Sequence, residues 1–166
     1  MLSRRVVQLA SLAWSFGIIT LVVTSGRMDL RPASEMPLDP LALATTVIRT
    51  SNRFSSAAVG YVGTTPDEVL AWRIIFHSSD RDKVFKELLT SGSVSGQLYA
   101  LAGLWFGDST EFARAADRLR RDRGIVRTVR GCLVSTEPIA DLVGQIEHGN
   151  WSHEFLTGRL FPTVSP

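Results

Sequence analysis

The chain is poor in the side chains that staple or metallate small proteins. It has a single cysteine, Cys132, so no intrachain disulfide is possible, and stability has to come from packing. It has three histidines and no Cys/His spacing of the zinc-finger kind. Its net charge is only +2, which excludes a molecule-wide polycation. No cysteine lies near the end of the N-terminal apolar run, so a lipoprotein anchor is excluded. Charge is also missing locally, from Val6 to Gly26 and again from Leu88 to Gly107.

What is present is a globular composition. Apolar residues make up 45% of the 166, and charged residues 20%. Three parts follow from the pattern: 1–26 as a signal peptide or signal anchor, 27–38 as a linker, and 39–166 as a helical domain. That is chain enough to bury a core.

Val6 to Gly26 is long enough to cross a bilayer core, which takes roughly 20 residues. Arg4 and Arg5 precede it without an acid, which holds the N-terminus in the cytoplasm and puts the rest outside. Two readings stand. Val23 and Ser25 form a weak cleavage pair, and the length of the run favours an uncleaved anchor. The expected location is therefore membrane-anchored with the folded domain outside the cytoplasm, or secreted or periplasmic after cleavage. Arg27 to Asp39 carries Pro32 and Pro37 without apolar period and reads as a tether.

The domain is expected to be built around Ser93 to Phe106, SVSGQLYALAGLWF. A helix apolar on every side must be buried on every side. Helix starts surround it. Asp39-Pro40 places aspartate at an N-cap and proline at the first helical position. Thr65-Pro66-Asp67-Glu68 reads as a capping box, as do Ser79 to Asp82 and Asp108 with Glu111. Ser51 to Thr64 reads as loop or short extended chain. Ile125 to Ser135 reads as extended, although its apolar positions also fit a helix. Glu137-Pro138 starts a last helix with Leu142, Val143 and Ile146 inward. Trp151, Phe155, Leu160 and Phe161 are expected to dock a tail.

Starts at 65, 79, 93 and 108 are evenly spaced. With the Gln97 to Leu104 segment, QLYALAGL, this resembles a short α-helical repeat array of the HEAT or armadillo type over Thr65 to Arg121. The resemblance implies stacked hairpins with Leu/Ala-rich inner helices. An irregular antiparallel bundle accounts for the same spacing. The fold class is mainly α in either case: an antiparallel helical bundle or short HEAT-like hairpin array, preceded by a transmembrane or signal helix.

The richest polar feature is a run of seven arginines, Arg114, Arg118, Arg120, Arg121, Arg123, Arg127 and Arg130, offset only by Asp117 and Asp122. Such a run contacts an acidic protein through charge-assisted pairs, or an anionic lipid surface at about 1 kcal/mol per residue. No aromatic residue interleaves it, which argues against stacking on a nucleic acid strand. His148 and His153, beside Glu147 and Glu154, are the nearest approach to a metal cluster, but their spacing of five misses the i, i+4 pattern. Gly60 and Gly63 lack the Lys-Ser/Thr of a phosphate loop. The leading expectation is a non-enzymatic exported or membrane-anchored interaction domain, with no cofactor, binding a protein or envelope surface through its helical face and these arginines. The alternatives are a small metal-assisted hydrolase using His148 and His153, and a nucleic-acid binder using Arg114 to Arg130.

Overall fold

The computed structural model describes residues 39–158. The expected signal or anchor at 1–26, the tether up to residue 38, and Leu160 and Phe161 lie outside these residues. Among the described residues no helix is long and apolar enough to cross a membrane.

Seven helices and one small sheet make up the described chain. In order they are α1 (Pro40–Thr50), β1 (Phe54–Val59), α2 (Asp67–Phe76), α3 (Arg81–Ser91), α4 (Val94–Leu104), α5 (Ser109–Arg120), β2 (Ile125–Gly131), β3 (Leu133–Pro138), α6 (Ile139–Glu147) and α7 (Asn150–Thr157). The mainly helical expectation holds. The sheet adds what the helical pattern left out.

Helix α4 is the centre. Leu98, Tyr99, Ala100, Leu101, Ala102 and Leu104 are all fully buried. Each buried leucine stabilises by about 1.5–3 kcal/mol relative to exposure. Ser93 caps α4, its hydroxyl accepting from Gly96 N at 3.0 Å and donating to Ser51 O at 2.5 Å. The second bond ties the start of α4 to the end of α1. Gly96 lets the two approach, since a Cβ there would sit 2.5 Å from Ile48 O. Gly103 does the same for α3, because a Cβ would meet the Phe85 ring at 2.3 Å.

Helix α1 packs chiefly on α2, α3 on α4, and α5 on α6. Two polar side chains of the core bond the α4 backbone. Trp72 Nε1 donates to Tyr99 O at 3.0 Å, and Ser152 Oγ donates to Ala102 O at 2.9 Å. Phe54, Tyr99, Trp151 and Phe155 form one ring cluster with centroids 4.3–5.9 Å apart. The expected docking of Trp151 and Phe155 is therefore present, but on a helix rather than a tail.

The sheet order is β1-β2-β3. Strands β1 and β2 run parallel, with Phe54 opposite Thr128, and β2 and β3 form an antiparallel hairpin from Ile125 opposite Pro138 to Arg130 opposite Leu133. Ile125 to Ser135 is thus strand on both sides of a tight turn at Gly131 and Cys132. Gly131 holds φ at 54° in the turn, which a glycine adopts without a Cβ penalty.

Candidate interaction surface

The two edges of the sheet are treated oppositely. At β1, amides turned away from β2 each meet an acceptor. Ser55 N donates to the Tyr99 hydroxyl at 2.8 Å, Ala57 N to a Glu154 carboxylate oxygen at 2.7 Å, and Val59 N to Thr64 O at 2.9 Å. Burial pushes the Glu154 carboxyl above its ordinary value, against the opposing effects of the Ala57 hydrogen bond and Arg130. The β1 edge is sealed by α4, α7 and its own returning loop.

At β3 the edge is open. Ile139 N donates to Gly124 O at 3.2 Å, which sets the phase of the hairpin. Antiparallel pairs alternate between bonded and non-bonded. The pairs Val126–Glu137, Thr128–Ser135 and Arg130–Leu133 are then the bonded ones, and Val134 and Thr136 turn their backbone groups outward. Pro138, without an N–H, ends the edge. Leu133 and Val134 are 74% and 57% exposed. At one end of the hairpin, Gly60 N reaches Gly131 O at 2.9 Å, and the adjoining turn carries Tyr61 and Val62, exposed at 99% and 88%.

The hairpin is held rigid from its inner face. Thr128 is fully buried, and its hydroxyl bonds Glu137 Oε1 at 2.8 Å and Ser135 Oγ at 2.8 Å. Gln145 Nε2 donates to Glu137 Oε2 at 3.2 Å. An open strand fixed this way needs no ordering before it pairs with another.

The seven arginines do not form one patch. Four are tied into the fold. Arg114 Nη1 pairs with Glu111 at 2.7 Å. Arg118 Nη2 donates to Leu89 O at 2.7 Å and Gln97 Oε1 at 3.2 Å. Arg120 pairs with Asp117 and Glu147. Arg130 pairs with Glu137 and bonds Gln145, and its guanidinium lies 4.1 Å over the Trp151 ring. The other three, Arg121, Arg123 and Arg127, are exposed, and among the described residues their guanidinium groups have no hydrogen-bond or ion-pair partner. Arg127 stands opposite Thr136, and Arg123 directly precedes Gly124, which is bonded to Ile139. The unpaired charge is therefore gathered at the C-terminal end of the open edge. Their number was legible in the sequence, whereas their partition was not, because apart from Glu111 and Asp117 the partners come from elsewhere in the chain.

The histidine pair is engaged in other contacts. His148 Nδ1 lies 2.7 Å from Gly144 O, and His153 packs edge-on against Trp105 and Phe106. No group of three His, Cys, Asp or Glu side chains placed to hold a metal occurs among the described residues. Cys132 is exposed in the hairpin turn. A second apolar feature is a groove of about 340 Å³ between α1 and α2, lined by Leu43, Val47, Leu70 and Ile74 among others.

No known protein family, no curated protein and no solved structure matches this chain.

Proposed function

We propose that this chain is a non-enzymatic interaction domain that binds an acidic protein partner through its arginine-bearing hairpin. The supporting observation is that Arg121, Arg123 and Arg127 stand exposed without partners at one end of an open strand, while the neighbouring arginines are consumed by the fold. Charges left unpaired in this way serve recognition and association rate rather than folding. The arginine-flanked apolar run at 6–26 supports an exported or membrane-anchored location, with the partner in the cell envelope. The even spacing of the starts of α2, α3, α4 and α5 supports a short HEAT-like array, with α2 paired chiefly to α1 and α3 to α4.

The test compares the full chain with a variant carrying Arg121→Gln, Arg123→Gln and Arg127→Gln. Binding is measured to an oligoglutamate peptide and to phosphatidylglycerol vesicles over a range of salt. The expected result is peptide binding that weakens tenfold or more in the variant and falls with salt. Equal binding by both chains would overturn the reading. Arginine-dependent binding to vesicles alone would move the partner from protein to lipid.

A further inference from the structure

We infer that the β3 edge takes a partner as an added strand: an extended segment alternating acidic and apolar residues, paired to the outward backbone groups of Val134 and Thr136. This rests on the reading of the hairpin as an interaction surface and specifies its mode.

Three observations carry it. The first is the contrast between edges. A strand edge exposes a row of unpaired N–H and C=O groups, and folded proteins ordinarily cover or blunt it. This fold seals β1 with a tyrosine hydroxyl, a buried carboxylate and a loop carbonyl, yet leaves β3 uncovered among the described residues. The second is rigidity. The Thr128–Glu137–Gln145 network holds β3 from within, so little ordering entropy opposes the addition of a strand. The third is charge complementarity. Arg127 projects beside Thr136, and Arg121 and Arg123 lie at the same end, so an incoming strand meets unpaired positive charge there and exposed Leu133 and Val134 at the other.

In strand addition, main-chain hydrogen bonds supply affinity and alternate side chains supply specificity. One face of the hairpin carries Arg127 and Thr136 and the opposite face carries the exposed Leu133, which suits an alternating strand with its acidic side chains on the face of Arg127 and its apolar ones on the face of Leu133. The edge is short, with two outward amides before Pro138, so the added segment is short as well.

The experiment is hydrogen exchange resolved to single amides on the full chain, alone and with a millimolar hexapeptide alternating glutamate and valine. A lysine–valine hexapeptide is the control. In the free chain Val134 and Thr136 should exchange fast. The acidic peptide should slow both by tenfold or more, and the lysine peptide should not. Thr136→Pro removes one outward donor while leaving the pairing with β2 in place, since Thr136 does not donate to β2. It should abolish the protection and keep the melting temperature within a few degrees. Protection of Val134 and Thr136 in the free chain would overturn the inference by showing the edge already covered, by another segment of the chain or, if it grows with concentration, by a second copy. Peptide binding that needs Arg121, Arg123 and Arg127 but leaves these two amides fast would also overturn it, while sparing the interaction reading. Binding that survives Thr136→Pro undiminished would do the same.

Discussion

The Tyr99 hydroxyl, on the central helix, accepts the backbone N–H of Ser55 at 2.8 Å. One phenol thereby links the most buried helix to the most buried strand. Its burial pushes its acidity far below that of an ordinary tyrosine, so it stays neutral at every working pH. Tyr99→Phe keeps the ring against Phe54 and Phe155 but leaves a buried amide without an acceptor. The expected loss is about 1–3 kcal/mol of unfolding free energy, read by urea denaturation. A variant as stable as the native chain would show that the amide has another partner.

Glu154 acts at the same edge, with a pH signature. Burial raises its folded value above the ordinary 4.5. The stability it contributes is complete below 4.5 and is lost as pH rises through the raised folded value. Glu154→Gln keeps an oxygen for Ala57 N and cannot ionise. Its stability relative to the native chain should therefore climb as pH rises above 4.5, followed by denaturation at each pH. A difference that stays flat over that range would mean the carboxylate ionises in the fold without penalty.

Asp108 should behave with the opposite sign. The Lys86 ammonium, and the Glu111 and Thr110 amides it caps, hold its carboxyl below the ordinary 3.8. The stability it contributes is present above 3.8 and lost as pH falls through the lower folded value. Asp108→Asn should lower the melting temperature at neutral pH and converge with the native chain in strong acid. Scanning calorimetry at both ends checks this, and equal deficits at the two would assign the effect to shape rather than charge.

Glycines in the helices should divide by space alone. Gly103→Ala drives a methyl into the Phe85 ring and should cost about 1–3 kcal/mol. Gly144→Ala in α6 meets nothing within 4 Å and should gain about 0.5–1 kcal/mol from the helical preference of alanine. Paired denaturation curves decide it. A neutral Gly103→Ala would mean that α3 shifts freely against α4.

Helix placement was largely legible, because capping and apolar period are local. Asp39, Ser93 and Asp108 cap with their side chains as their positions imply. Thr65 does not. Pro66 takes the N-cap of α2, and Glu68 turns instead to Arg53, bonding its Nε at 2.8 Å. Strand β1 was legible only as loop or short extended chain because Ser55, Ser56 and Ala57 are all buried, so the strand shows no alternation, and small residues carry little strand preference. Ile125 to Ser135 was legible as extended chain, but the edge of the hairpin and the arginines left over beside it were not. Those depend on Glu137, Glu147, Gln97 and Leu89, residues that no spacing rule connects to the arginine run.

The parallel pairing of Phe54 with Thr128 has a consequence for how the molecule comes into being. Helices α2 to α5 all lie between the two strands in the chain. A nascent polypeptide that has emerged only as far as Arg120 carries β1 with no strand to bind, and its ring cluster still lacks Trp151 and Phe155. Closing so long an interval is entropically unfavourable until the enclosed helices have shortened it. The sheet, and with it the open edge, therefore exists only after α2 to α5 have emerged, and the ring cluster is completed later still, when α7 follows.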